Sequence, residues 1–141
     1  MSTYILKERV AIERRQQHYV LAVPKSGELE WCVALTLLNE DLASFIETGD
    51  RKVSISIDPN LPVHVRGAAD VSAAPLRLRL TRTELRAWLY FFLRAVRDGA
   101  PDANHFDCEL RGGLAPVDLV VTAEGAKKPM TAEEARKRLG L

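Results

Sequence analysis

Cysteine is scarce in this sequence: Cys32 and Cys108 are the only two among 141 residues, and neither belongs to a paired motif. At this length the chain can bury roughly two thirds of its unfolded surface, so it needs neither a disulfide nor a metal to fold. We therefore expect two reduced thiols that act as small apolar residues, as is usual in an intracellular compartment.

The sequence also lacks a large excess of positively or negatively charged residues. The net charge is +1, which gives no general attraction to nucleic acid or anionic lipid, so any charge-driven function must come from a local patch. The longest strongly apolar run, residues 87–93, is far too short to cross a bilayer, and no signal-peptide h-region is present. We expect a cytoplasmic protein without a membrane partner.

Motifs for cofactors and covalent catalysis are lacking as well. Gly112-Gly113 stands alone and does not form a phosphate-binding loop, and no nucleophile motif such as G-x-S-x-G occurs. The sequence therefore predicts no cofactor, no metal and no catalytic residue. Its 47% hydrophobic and 28% charged residues are typical of a single globular domain, here residues 1–141.

The clearest local pattern runs from residue 75 to residue 110. Alternating leucines and arginines predict a strand over 76–80. Thr81 and Glu84 have the spacing of a capping box at the start of a long helix, 82–97. A continuous apolar stripe then predicts the buried face of this helix, and a second strand follows over 105–110. The stripe consists of Leu85, Trp88, Leu89, Phe92, Leu93 and Val96.

Weaker patterns complete the predicted fold. They indicate strands over 4–12, 19–23, 53–57 and 117–122, a central strand over 31–38, and short helices near 40–47 and 132–139. The expected fold is α+β: a largely antiparallel sheet of six or seven strands packed against the long helix. Residues 58–75 are predicted to form a long flexible loop, and residues 123–141 a loosely docked C-terminal tail.

A basic row on the long helix is the first candidate site. Arg82, Arg86, Tyr90 and Arg94 are spaced by four, so they share one face of the helix. Glu84 is the only acid between Asp70 and Asp98, and a tyrosine set among arginines is typical of a protein interface. The predicted partner-binding residues are this row together with Arg77, Arg79 and Arg97. A solvated helix face is the plainer alternative.

His105 and Asp107 form the second candidate. On a strand they point to the same face, where the carboxylate could orient the imidazole for base catalysis or metal binding. The only other imidazoles, His18 and His64, are not at ligand spacing. A polar sheet edge is therefore the favoured interpretation of this pair.

Residues 75–122, from the capped helix to the strand that carries His105 and Asp107, resemble small α/β immunity proteins of bacterial polymorphic-toxin systems. The resemblance implies a non-catalytic protein that neutralises a toxin by covering its active site. Immunity proteins against nucleases are often acidic, whereas this chain carries a basic row, so its partner should present an acidic surface.

Three hypotheses follow, in decreasing order of support. The first is a protein-binding module that docks through the arginine face, as an immunity protein would. The second is a nucleic-acid-binding domain that uses the same arginines, and the third is a small enzyme built on His105 and Asp107. A homodimer through the apolar flank of the helix is left open.

Overall fold

The computed structural model describes residues 3–7, 10–15, 18–62, 64–71, 75–98, 105–112, 116–123 and 132–140. Over these residues the fold is α+β. The strands are β1 (Thr3–Leu6), β2 (Ala11–Arg15), β3 (His18–Val23), β4 (Phe45–Thr48), β5 (Val53–Ile57), β6 (Gly67–Asp70), β7 (Leu76–Leu80), β8 (His105–Leu110) and β9 (Val117–Ala123). The α-helices are α1 (Glu28–Asn39), α2 (Arg82–Asp98) and α3 (Ala132–Leu139), and a short 3₁₀ turn precedes α1.

The strands form two mixed sheets. The first sheet has the order β1-β4-β5-β7-β6, and the second has the order β2-β3-β9-β8. Three neighbouring pairs are parallel, namely β1 with β4, β3 with β9 and β5 with β7. The prediction of one largely antiparallel sheet was therefore wrong in part, because local alternation shows that a strand exists but not which strand it pairs with.

Helices α1 and α2 pack against one another and enclose the core with the sheets. The rings of Trp31 on α1 and Phe92 on α2 stack with their centroids 5.4 Å apart, and both side chains are completely buried. The long helix, β7 and the antiparallel β8–β9 pair lie where the sequence predicted them. The short helix predicted near 132–139 is also present, as α3.

The central strand predicted over 31–38 was wrong, because these residues belong to α1. Apolar residues fill nearly every position there, and such a run does not distinguish a buried strand from a buried helix. The helical spacing of Trp31, Leu35 and Leu38 carries the better signal, and all three are buried. Glu28 and Glu30 lie in the first turn, where negative charge favours a helix N-terminus.

The short helix predicted near 40–47 was wrong as well. Residues 40–43 close the C-terminal end of α1, and the chain then enters β4. The amides of Leu42 and Ala43 both donate to the carbonyl of Leu37, while Asp41 adopts a left-handed conformation with φ of 58°. Of the apolar residues that suggested a helix face, Leu42 lies in this reversal and is exposed, whereas Phe45 and Ile46 belong to β4.

The segment predicted as a loop, residues 58–75, contains a strand that was not predicted. Strand β6 pairs with β7 at the edge of the first sheet. Its sequence, Gly-Ala-Ala-Asp, has no β-branched or aromatic residue, so strand propensity could not reveal it. Val63 and residues 72–74 lie outside the described residues.

The apolar stripe of α2 is only partly buried. Leu85, Trp88 and Phe92 are fully buried, whereas Leu93 and Val96 are 44% and 41% exposed. The buried Ala95 shows that the core-facing direction lies to one side of the predicted stripe. The flank with Leu93 and Val96 is the one turned toward α1, since Arg82 and Arg86 on that flank contact the end of α1.

The two sheets are joined at Gly67. The amide of Arg111, just beyond β8, donates to the Gly67 carbonyl at 2.9 Å, and the amide of Ala69 donates to the Arg111 carbonyl at 2.9 Å. A Cβ atom on Gly67 would lie 2.7 Å from the carbonyl oxygen of Arg79 and 2.8 Å from the side chain of Leu110. Only glycine lets β6 lie this close to both β7 and the end of β8.

We expect Gly67→Ala to lower the free energy of unfolding by about 1–3 kcal/mol, because a methyl group at this position overlaps a backbone atom that cannot rotate away. Urea unfolding followed by circular dichroism measures the change. Ser54→Ala on the half-exposed face of β5 is the control and should stay close to wild type. Equal unfolding midpoints for Gly67→Ala and wild type would contradict the predicted close packing.

Candidate functional site

Two arginines of the predicted row connect the helices. Arg82 donates to the carbonyl oxygen of Asn39 and to the Asp41 carboxylate, the latter at 3.0 Å. The Nε of Arg86 donates to the amide oxygen of Asn39 at 3.3 Å. The end of α1 is thereby tied to the beginning of α2, and the charge of Arg82 is partly neutralised.

Tyr90 and Arg94 form the outward part of the row. The Tyr90 side chain is 67% exposed, and Arg94 is also exposed. Within the described part of the chain, neither Arg86 nor Arg94 has an acidic partner. This face of α2, defined by Arg86, Tyr90 and Arg94, is called the arginine face below.

Arg77 and Arg79 are not on the arginine face. They point away from the core on β7, whereas the leucines of β7 point toward the helices, so the first sheet lies between these arginines and α2. Arg79 forms an ion pair with Asp58 at 2.8 Å, and Arg77 lies opposite Asp70 of β6. The structure thus divides the predicted basic surface in two, and it leaves Arg97 exposed near the end of α2.

A cleft of about 980 Å³ opens beside the arginine face. It lies between α2, the first residues of β8, and the residues Leu61, Pro62 and 64–66, which precede β6. Both candidate sites reach it, since Tyr90 and Arg94 line one side and His105 and Asp107 line another. The lining residues on α2 are Thr83, Glu84, Ala87, Tyr90, Phe91 and Arg94.

Aromatic packing fixes the floor of the cleft. Phe106 meets Phe91 edge to face at 4.8 Å and Trp88 at 5.5 Å between ring centroids. Phe106 and Phe91 are half-buried and line the cleft, whereas Trp88 is completely buried below them. The floor is therefore apolar and held by the core, and the polar side chains stand around it.

Two residues that precede β6, His64 and Arg66, are functional candidates that the sequence did not predict. His64 and Arg66 line the cleft opposite α2. His64 has no partner at ligand spacing in the sequence, and Arg66 lies within the predicted loop 58–75. Their position depends on β6, whose pairing places residue 66 near Thr81: the Thr81 amide donates to the Arg66 carbonyl at 2.9 Å.

The predicted Thr81–Glu84 capping box has its hydrogen bond from the Glu84 amide to the Thr81 side chain. The amide of Glu84 donates to the Thr81 hydroxyl at 3.2 Å, which satisfies one of the free backbone amides at the start of α2. The Glu84 side chain is buried and interacts with the Cys108 thiol. This acid therefore belongs to the inner wall of the cleft and does not offset the charge of the arginine face.

Both cysteines are free and buried. Burial first, and then the negative charge of Glu28, raises the pKa of the Cys32 thiol to about 11. Burial and the neighbouring Glu84 carboxylate raise the pKa of Cys108 still further above its usual range. The thiols are thus protonated at neutral pH and are unsuited to nucleophilic or redox chemistry.

Among the described residues, no group of three or more histidine, cysteine or acidic side chains could hold a metal ion. No helix in those residues is long and apolar enough to span a membrane. Comparison with protein-family models, with curated proteins and with solved structures found no match.

Proposed function

We propose that this protein is a non-catalytic binding module that docks an acidic protein partner on the arginine face and the adjoining cleft. The observation that carries the proposal is the strongly exposed Tyr90, which lies between two arginines without acidic partners in the described residues. Arginine and tyrosine are enriched at the centres of protein interfaces, and an aromatic ring held by a packed helix binds with little loss of conformational freedom.

Continuity with the cleft strengthens this proposal. Tyr90 and Arg94 belong both to the arginine face and to the rim of the cleft, so a partner that covers one also reaches the apolar floor beside Phe91. A surface that combines exposed cations with a preformed apolar depression gives a partner both orientation and buried area. Neutralisation of a bacterial toxin, as an immunity protein achieves it, is the specific form of binding that we propose.

The distribution of charge favours a protein partner over nucleic acid. Binding to a phosphate backbone requires several unpaired cations along one surface. Here Arg79 is paired with Asp58 and Arg82 with Asp41, while Arg77 and Arg79 lie on the far side of the first sheet from α2. Arg86 and Arg94, which have no ion-pair partner among the described residues, suit a limited acidic patch on a folded protein.

Affinity capture from a nuclease-treated lysate of the source organism, followed by titration of the purified partner, tests the proposal. We expect Arg86→Glu combined with Arg94→Glu to weaken binding by about 100-fold or more, because each reversal replaces attraction by repulsion at the interface. The matched control is Arg136→Glu with Lys137→Glu, which makes the same charge change on two exposed residues of α3.

The two variant pairs separate the possible outcomes. Loss of binding only in the α2 pair, with an unchanged thermal melt, supports the arginine face. Equal loss in both pairs indicates a general effect of charge and contradicts the proposal. Retention that disappears with nuclease treatment would instead favour nucleic acid, and the salt dependence of that binding should then be steep.

A further inference from the structure

The β8 strand has a free edge facing the cleft. Among the strands in the described residues, it is the last of the second sheet, and β9 is its one ladder partner there. On the other side it approaches β6, and the two are joined through Arg111 beyond the end of β8. From this junction toward His105, the cleft lies between β8 and the residues Leu61, Pro62 and 64–66.

The direction of the backbone groups along this edge follows from the junction. Arg111 turns its amide and its carbonyl toward β6. Because alternate residues of a strand direct these groups to the same side, Glu109, Asp107 and His105 present theirs away from β9, along the free edge of β8. No backbone partner for His105 or Asp107 occurs on that side among the residues that the structure describes.

We propose that this edge is where the partner binds, by adding an extended segment of its own chain to β8 as a further strand. The inference rests on the proposed function and specifies how the partner is held. An open strand edge supplies main-chain hydrogen bonds to any extended peptide, and the neighbouring pockets select its side chains. Three outward residues along β8 correspond to a segment of about five residues, or roughly 13 Å at the rise of a strand.

The walls of the cleft define the chemistry of that segment. Side chains on one face of an added strand point toward α2, where Ala87, Phe91 and Phe106 offer an apolar surface. Arg94 stands at the rim and suits a carboxylate. The expected segment therefore carries apolar residues at alternate positions and at least one acidic residue. Exposed edges invite aggregation unless they are protected, so an open edge beside a charged, aromatic-lined cleft fits a binding site.

Hydrogen exchange tests whether the edge is open before any ligand is added. In the free protein the amides of Asp107 and Glu109 should exchange much faster than those of Phe106 and Cys108, which face β9. Equal protection at all four positions would mean that another part of the chain already covers the edge, and the inference would be wrong.

Selection from a displayed library of random nine-residue peptides tests the binding itself. Peptides selected on the wild-type protein should share the alternating apolar and acidic pattern. Their affinity should fall at least tenfold on Asp107→Pro, which removes an outward amide, and on Ala87→Trp, which fills the floor of the cleft. Val33→Trp places the same indole side chain on the exposed face of α1 and should bind like wild type.

Each outcome of the selection either supports or contradicts the addition of a strand to β8. Failure to recover any peptide, or recovery of peptides that bind wild type, Asp107→Pro and Ala87→Trp equally, overturns it. The two variants are independent, so a folding defect in Asp107→Pro leaves the Ala87→Trp comparison valid. If the captured partner binds both variants with wild-type affinity but is lost from the Arg86, Arg94 variant, strand addition is wrong and the proposed function stands.

Discussion

Phe92→Ala should lower the free energy of unfolding by about 3–5 kcal/mol, the usual effect of removing a large aromatic side chain from a core. Phe92 is completely buried, stacks on Trp31 of α1, and meets Phe91 edge to face at 5.2 Å. Its removal leaves a cavity where the two helices and the floor of the cleft meet. Chemical denaturation with a single cooperative transition gives the measurement.

Tyr90→Ala provides the control for this prediction, since the residue lies two positions away on the same helix and is mostly exposed. Its effect should be within about 0.5 kcal/mol, as for most surface substitutions. If the two variants were equally stable, the packing of α1 on α2 through Phe92 would be wrong. A destabilised Tyr90→Ala would instead place that ring inside the protein, against the proposed interface.

The second large effect is a loss of stability at alkaline pH caused by the two thiols. A thiol whose pKa is raised by folding stays protonated in the native state at a pH where the unfolded chain has already released the proton. Its contribution to stability is therefore complete below the unfolded pKa, near 9.0, and is lost as the pH rises toward the folded value. For Cys32 that value is about 11, and for Cys108 it is higher.

Together the thiols should reduce the free energy of unfolding by about 4 kcal/mol between pH 9 and pH 11. Comparing this decrease in wild type and in a Cys32→Ala, Cys108→Ala variant isolates their contribution, because all other residues are the same in both proteins. The variant is expected to be less stable near pH 7 and less sensitive to alkali. Parallel stability curves in the two proteins would show that neither thiol is shielded as the structure indicates.

Local sequence patterns predicted a helix or strand correctly where a hydrophobic period occurs together with a signal for the start or end of that element. The leucine alternation of β7, the Thr81–Glu84 cap and the spacing of Trp88 and Phe92 together predicted β7 and α2 correctly. They failed for α1, where apolar residues on every side removed the period. They also failed for β6. Its glycine is required by the close contact of Gly67 with β7 and Leu110, and its residues have low strand propensity.

The candidate site could be predicted only in pieces. The sequence identified Tyr90 and Arg94 through helical spacing and His105 with Asp107 through strand alternation. That these residues share a cleft depends on how β8 is placed beside α2, which is a long-range property of the fold. His64 and Arg66 could not be assigned, because their position follows from the pairing of β6, and no local signal marks that strand.

The parallel ladder between β3 and β9 gives the fold a particular order of assembly. Its partners, such as His18 and Asp118, are about 100 positions apart in the chain. Pairings between such distant segments form slowly, because the chain loses the entropy of closing a long loop before any stabilising contact forms. On the ribosome, β2 and β3 are synthesised early. The side of β3 that pairs with β9 stays unpaired until β9 has been synthesised. The second sheet is therefore expected to be completed only when β9 has emerged and pairs with β3.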